Sequence, residues 1–140
     1  MLRQFLVAGA ASACNITIHA LVMTAIVQVV NAMVAKKHEW SPSFFLIAIM
    51  IAVVLVLMGA HVAEVVVWSL VYGFVDATPP GSDLLYFAFV NYTTLGYGDI
   101  VPVKDWQLLG PITAMNGVLL FGWSTAVIFE VLRRTMNMPD

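Results

Sequence analysis

One short stretch, residues 91–99, is polar and glycine-rich in an otherwise apolar part of the chain, and its residue types could bind an ion. It reads Asn-Tyr-Thr-Thr-Leu-Gly-Tyr-Gly-Asp and lies between long apolar segments. Glycines at alternate positions, Gly96 and Gly98, let the backbone adopt dihedral angles that are closed to other residues. The carbonyl groups of residues 94–97 could then turn the same way, and such a row of oxygens can replace the hydration shell of a large monovalent cation such as potassium. One chain supplies a single row, so an oxygen cage requires several copies.

The string T-L-G-Y-G-D at residues 94–99 resembles the selectivity filter of the tetrameric potassium channels. Leucine at position 95 stands where that family usually has valine, and its side chain is expected to point away from the ion path. With its flanks and neighbouring helices, the resemblance covers about residues 43–134. It implies a homotetramer in which K⁺ binds along the backbone of Thr94, Leu95, Gly96, Tyr97 and Gly98, with the ion held mainly by the first four. A tight glycine turn in a membrane protein is the alternative interpretation.

The composition indicates that lipid is the solvent. The chain of 140 residues is 61% hydrophobic and 10% charged, with a mean hydropathy of +0.94, unlike a soluble domain. Its length supports one domain, and its net charge of -2 gives no sign of nucleic-acid binding. The single cysteine, Cys14, cannot form a disulfide within one chain and is expected to be a small buried hydrophobe. No nucleophile, base and orienting acid converge, so we do not expect an enzyme.

Three apolar segments predict membrane-spanning helices, because about 20 apolar residues cross a bilayer. The first segment has no charged residue from position 5 to position 35; a cleaved signal ending near residues 11–13 is the alternative interpretation of its start. We divide the chain into an N-terminal helix with a cytoplasmic loop at residues 1–41 and a pore domain at residues 42–140. The pore domain then contains an outer helix at 42–75, a pore helix at 82–93, the filter at 94–99 and an inner helix at 106–134.

The pore helix is predicted to enter the membrane without crossing it. Its apolar part, residues 84–93, is about half the length that a bilayer requires. Ser82 or Asp83 could cap its start. Its C-terminal end carries partial negative charge, which favours a cation beyond it. The expected fold is therefore an all-α membrane protein with three transmembrane helices, a re-entrant pore helix and a filter loop, assembled as a homotetramer.

Basic residues set the expected orientation. Lys36 and Lys37 follow the first apolar segment, and Arg133 and Arg134 follow the last. Because cytoplasmic loops are enriched in lysine and arginine, these ends are expected inside, with the N-terminus outside and the C-terminus cytoplasmic. We expect the inner membrane of a bacterium.

The first helix carries scattered polar residues and no regular row of arginines, so it is not expected to sense voltage. Polar side chains in lipid usually form hydrogen bonds to a neighbouring helix. We expect this role for Asn15, Thr17, His19, Gln28 and Asn31.

The resemblance also implies residues that support the filter. It implies that Asp99 bonds to an aromatic donor thirteen residues earlier, here Tyr86, and that Tyr97 points into an aromatic cuff. The aromatic residues available for the cuff are Tyr86, Phe87, Phe89 and Tyr92. Some members of the family place a carboxylate where this chain has Val90, so that brace is missing.

Glu64 is a candidate replacement for the missing brace. It lies about ten residues before the end of the outer helix, or roughly 15 Å at the helical rise, which is the expected depth of the pore helix. A carboxyl group in lipid should be protonated or paired, here with Asn91, Tyr92 or His61. His61 and Glu64 are too few to bind a metal by themselves, whereas a structural hydrogen bond and a regulatory proton site both remain open.

For the inner helix, the resemblance implies that Met115, Leu119, Gly122 and Ala126 face a central cavity. Gly117 lies one position from the usual hinge glycine and could serve as a hinge. Gly117 and Gly122 could equally be close-packing points between helices. Glu130 could form an acidic ring at the cytoplasmic gate, or pair with Arg133 or Arg134 on its own helix.

The expected function is passive conduction of K⁺, with no organic cofactor. The expected partners are further copies of the chain and lipid, with an unseen regulatory subunit also possible. A poorly selective cation channel and a non-conducting subunit that modifies larger channels are the alternatives.

Overall fold

A computed structural model describes residues 1–34 and 41–136 of the chain. These residues form the helices α1 (Leu2–Val34), α2 (Pro42–Phe74), α3 (Leu84–Tyr92) and α4 (Leu109–Met136), with a 3₁₀ turn at Lys104–Trp106 and no strand. Within this part of the chain, α1, α2 and α4 are long and apolar enough to cross a membrane. The predicted all-α membrane fold is therefore confirmed. The lysines at 36 and 37, used above to orient the chain, lie outside the described residues.

The start of α3 follows directly from its sequence. Asp83 occupies the N-cap, and its carboxylate accepts a hydrogen bond of 3.0 Å from the backbone N–H of Tyr86. The helix has 9 residues, or roughly 14 Å at 1.5 Å per residue, about half the thickness of the hydrocarbon core. It cannot span the membrane, so the chain that follows it must turn back.

One face of α1 is buried against α2 and α4. Its buried residues recur every three or four positions, as expected for a helix with one packed side. They are Gln4, Ala8, Ala11, Asn15, His19, Met23, Ile26 and Val30.

The interior consists of two apolar clusters with polar side chains between them. The cluster near α3 includes Trp68, Tyr72, Phe87, Tyr92 and Leu109. The cluster at the other end includes Met23, Ile26, Phe45, Ile49 and Val131. The intervening buried polar side chains are Asn15, His19, Glu64, Asn116 and Ser124.

Contacts at the helix ends fix the direction of α1. The backbone N–H of Leu108 donates to Gln4 Oε1 at 2.9 Å, and the Arg3 guanidinium lies 4.3 Å from the centre of the Trp106 ring. At the opposite end, Arg134 donates to Asn31 Oδ1 at 2.9 Å. The N-terminus therefore lies at the same end of the molecule as the start of α4, the relative placement that the charge pattern predicted.

Candidate functional site

The end of α3 is held against α4 at a glycine. A Cβ atom built on Gly117 would lie 2.1 Å from the carbonyl oxygen of Tyr92, far inside van der Waals contact. Any side chain at this position would push the two backbones apart. Of the two roles considered for Gly117, the structure therefore shows the packing contact.

Backbone hydrogen bonds to α3 fix the direction of the peptide groups in the segment that follows it. The N–H of Thr94 donates to the carbonyl of Asn91 at 3.0 Å, and the N–H groups of Leu95 and Gly96 both donate to the carbonyl of Val90, at 2.9 and 3.3 Å. In a trans peptide, the carbonyl of each residue points opposite to the N–H of the next. No cis peptide occurs in the described chain. The carbonyls of residues 93, 94 and 95 therefore point away from α3.

Backbone dihedral angles alternate in sign along the same segment. Thr94, Gly96 and Gly98 have φ of 61°, 58° and 78°, whereas Leu95 and Tyr97 are not in the positive region. Thr94 is not a glycine, so its left-handed conformation costs about 1–3 kcal/mol. Sequence reasoning found both glycines but not the conformation of Thr94.

The segment is uncovered in a single protomer. Residues 93–99 are all exposed, and the side chain of Tyr97 is 67% exposed. Non-helical backbone at membrane depth is stable only where protein or water covers it. Within the described residues, the chain itself supplies no such cover for this segment.

Tyr86 of α3 and Asp99 at the end of the loop interact. The hydrogen bond between the phenol and the Asp99 carboxylate raises the pKa of Tyr86, with smaller contributions from desolvation and from the nearby charge of Asp99. The residue pair implied by the family resemblance therefore lies close enough for the carboxylate to affect the phenol.

Two of the four residues available for the predicted aromatic cuff are buried inside the protomer. Phe87 is buried against Tyr72, with ring centres 4.9 Å apart, and Tyr92 is buried against Phe121 at 5.4 Å. Both rings belong to the interior of the protomer. Tyr86 and Phe89 stay partly exposed and are the only two of the four predicted cuff residues free to meet another ring.

Glu64 lies at the centre of a buried polar cluster. Its Oε1 is 2.7 Å from Nδ1 of His19, and its Oε2 is 3.0 Å from Nδ1 of His61 and accepts a hydrogen bond from the hydroxyl of Tyr92. The side chains of Glu64 and His19 have no solvent exposure. Two of the three predicted partners are therefore present, whereas the amide of Asn91 donates to the carbonyl of Phe87 instead.

Ser124 of α4 closes this cluster on the other side. Its hydroxyl oxygen is 2.9 Å from Nε2 of His61 and 3.3 Å from Nε2 of His19. Phe121 and Trp123 pack against the two imidazoles, with ring centres at 4.6 and 5.3 Å. The cluster therefore joins α1, α2, α3 and α4.

His19 is the member that sequence reasoning missed. Its predicted hydrogen bond to a neighbouring helix is present, but Glu64 was not predicted as its partner, and His61 with Glu64 offered too few ligands for a metal. The structure brings His19 into the cluster, and the ligand atoms of all three side chains lie within 4.8 Å of one another. The spacing of Asn15 and His19, four apart on the buried stripe of α1, was the available signal.

Asn15 extends the same face of α1. Its amide donates to the carbonyl of Glu64 at 3.2 Å and to Oδ1 of Asn116 at 3.1 Å, and the indole of Trp68 donates to the same Asn116 oxygen. Asn15 thus joins α1 to α2 and α4, as expected for a polar residue in a membrane helix.

The other polar residues of α1 differ in their contacts. Asn31 makes the contact with Arg134 given above, whereas Thr17 bonds within its own helix and Gln28 is exposed.

One stripe of α4 has no cover in the single chain. The four residues expected to line a cavity are all exposed: Met115, Leu119, Gly122 and Ala126. Gly117 is buried and lies off this stripe. No neighbouring atom lies within 4 Å of the Cβ position of Gly122, so this glycine makes no close packing contact within the protomer.

Glu130 pairs within its own helix. Its carboxylate oxygens lie 2.8 Å from Nε of Arg133 and 2.6 Å from Nε of Arg134. Of the two interpretations of Glu130, the ion pair is therefore present in the protomer.

Cys14 was expected to be buried, but it is exposed, so that prediction is wrong. It lies on the side of α1 that faces away from the other helices.

These features define an integral membrane protein with a re-entrant helix and an exposed backbone loop between two of its spanning helices. A family model described as ion channel matches residues 60–134, more than half of the chain. The chain therefore belongs to this ion-channel family. The match covers the second half of α2, all of α3, the loop and most of α4, and leaves α1 outside it. Comparison with curated proteins and with solved structures found no match.

Proposed function

We propose that four copies of the chain form a channel that conducts K⁺ passively and selectively. The observation that carries this proposal is the row of carbonyls that points away from α3. Rings of backbone carbonyls can replace the hydration shell of K⁺ as it passes. Four rows around one axis would supply such rings from Thr94, Leu95, Gly96 and Tyr97.

The surroundings of the row suit a cation. In the proposed tetramer the C-terminal end of α3, with its partial negative charge, points toward the axis. The covering that the exposed loop needs then comes from neighbouring copies and from water in the pore. The uncovered stripe of α4 at Met115, Leu119, Gly122 and Ala126 lines the cavity below the filter.

Three contacts support the conformation of the filter in this proposal. The carbonyl of Val90 accepts two of its N–H groups, and Tyr86 bonds to Asp99 at its outer end. Glu64 holds the hydroxyl of Tyr92, the last residue of α3. In this proposal, Glu64 of α2 takes the place of the carboxylate that is absent at position 90, because it contacts the last residue of α3.

The orientation belongs to the same proposal. The filter opens to the outside of a bacterial inner membrane, the N-terminus lies outside and the C-terminus is cytoplasmic. The charges at Arg133 and Arg134 and the lysines at 36 and 37 support this arrangement.

Ion flux from liposomes tests the proposal. Purified protein should release K⁺ down its gradient and should carry little Na⁺ under the mirrored gradient. Gly96→Ala should abolish selective flux, because φ of 58° strains any residue with a side chain.

Gly81→Ala is the matched control, since Gly81 has φ of 82° but lies in the turn before α3. It should keep the flux. Equal K⁺ and Na⁺ flux would instead indicate a poorly selective cation channel. Absence of flux from the chain alone would indicate a subunit that acts with larger channels.

A further inference from the structure

We propose that His19, His61 and Glu64 bind one divalent transition metal ion of the zinc class, which ties α1 to α2 behind the end of α3. The proposal is independent of ion conduction. It rests on the donor atoms, on the hydroxyl behind them and on the burial of the cluster.

The donor set is the first support. Two imidazole nitrogens and a carboxylate are common zinc ligands, bound at about 2.0–2.2 Å, so that ligand atoms in a tetrahedral site lie about 3.3 Å apart. The two Nδ1 atoms lie 2.7 and 3.0 Å from oxygens of the same carboxylate. Small side-chain rotations that widen these contacts by about half an ångström would let one ion sit between them.

Ser124 is the second support, because it bears on the tautomer of both rings. A histidine that binds a metal through one nitrogen donates a hydrogen bond from the other. Nε2 of His61 and Nε2 of His19 both approach the Ser124 oxygen, at 2.9 and 3.3 Å. A hydroxyl oxygen has two lone pairs and can accept from both N–H groups. Both Nδ1 atoms then present lone pairs toward Glu64.

A fourth donor is present at the same place. The hydroxyl of Tyr92 is 2.9 Å from Nδ1 of His61 and also bonds to Glu64. It can complete a four-coordinate shell, which would make the ion a direct link between α1 and the last residue of α3.

The charge balance is compatible with a dication. Glu64 neutralises one of its two charges, and Tyr92 is the last residue of α3, where the helix end carries partial negative charge. No other acidic or basic side chain contacts the three ligands among the described residues. The His61 side chain is 15% exposed in the protomer, so the cluster is not fully enclosed within one chain.

A network held by hydrogen bonds alone is the competing arrangement. With both imidazoles neutral and Glu64 ionised, each Nδ1 donates to the carboxylate and both Nε2 lone pairs face the single proton of Ser124. If one imidazole carries an additional proton, its Nε2–H donates to the Ser124 oxygen while the Ser124 hydroxyl donates to the other Nε2, so every contact has a donor and an acceptor. Such a network needs no metal, so metal binding distinguishes the two arrangements.

Cobalt substitution tests the proposal directly. The chain is purified in detergent with a tag that lacks histidine and in a Cys14→Ser background, stripped with a chelator and titrated with Co²⁺. We expect tetrahedral d–d absorption that saturates at one Co²⁺ per chain and is displaced by Zn²⁺. His19→Gln should remove the absorption, whereas His38→Gln, which replaces the remaining histidine of the sequence, should keep it. Absence of stoichiometric binding, or equal binding by His19→Gln, would overturn the proposal.

Ser124→Ala is the second variant, since it keeps every ligand and removes only the acceptor behind them. We expect one ion per chain still, with affinity reduced about 10- to 100-fold. Unchanged affinity would refute the role given to Ser124.

A thermal measurement covers the case in which the His19 variant does not fold. Zn²⁺ should raise the unfolding temperature of the parent chain, and chelator should reverse the rise. An unfolding temperature that changes with neither Zn²⁺ nor chelator would overturn the proposal.

Discussion

Replacing Gly117 by alanine tests how closely α4 must approach the end of α3. The added methyl carbon would lie 2.1 Å from the carbonyl oxygen of Tyr92 and 3.0 Å from its carbonyl carbon. Both atoms are backbone, so no side-chain rotation relieves the overlap. The helices must separate by at least about 1.3 Å to bring the carbon–oxygen distance from 2.1 Å to the 3.4 Å of an ordinary contact.

The size of the effect follows from two opposing terms. Alanine favours a helix interior over glycine by about 1 kcal/mol. Overpacking a well-packed contact costs about 1–3 kcal/mol, and a backbone contact is at the upper end of that range. Gly117→Ala should therefore lower the free energy of unfolding by up to about 2 kcal/mol.

Gly122→Ala is the matched control, because it changes the same residue type in the same helix. No atom lies within 4 Å of its Cβ position, so only the helix-propensity gain of about 1 kcal/mol applies within the protomer. Thermal unfolding of the detergent-solubilised protein should rank Gly122→Ala above the parent and Gly117→Ala below it.

Ion flux provides the second measurement for the same pair. Displacement of α3 should disturb the loop that follows Tyr92. The ion flux of Gly117→Ala, measured per amount of folded protein, should therefore be lower than that of the parent. If Gly117→Ala matches the parent in both stability and flux, the close contact between α3 and α4 does not exist as described.

Three further predictions concern the supporting contacts. Glu64→Gln replaces one of the two carboxylate oxygens with an amide NH2 group, so one of the contacts to His19, His61 or Tyr92 loses its oxygen. It should destabilise the protein by about 1–3 kcal/mol and alter selectivity or inactivation; unchanged selectivity, inactivation and pH dependence would contradict the brace. The raised pKa of Tyr86 means that its bond to Asp99 stabilises the fold below pH 10.0 and is lost as pH rises through the raised value. The difference in unfolding temperature between the parent and Tyr86→Phe should thus be constant at neutral pH and shrink in strong alkali; a difference that grows there would reverse the assignment. Asn15→Leu should cost about 1–3 kcal/mol of stability by unfolding measurements, and Thr17→Val, its exposed neighbour, close to nothing; equal effects would refute the helix contact.

Much of the architecture could be predicted from the sequence because lipid imposes simple rules. Segment length and hydropathy placed three spanning helices, and the short apolar stretch before the loop could only be re-entrant. The pairing of Asp99 with Tyr86 was expected from the family resemblance of residues 94–99, not from the spacing of the two residues. The family match at residues 60–134 covers the same region.

Contacts between distant helices could not be predicted in the same way. His19 joins Glu64 across 45 positions, and nothing in the apolar pattern of α1 specifies which polar residue of α2 it meets. The close approach of Gly117 to Tyr92 depends on the packing angle of two helices. Phe87 and Tyr92 looked equivalent to their exposed neighbours because an apolar nine-residue helix does not show which face it buries.

An electron cryomicroscopy map of the purified assembly in K⁺ is the most direct test of the channel proposal. We expect four protomers around one axis, with the carbonyl oxygens of Gly96 directed at that axis and density for ions between them. A particle without four-fold symmetry, or Gly96 oxygens that face lipid, would contradict it.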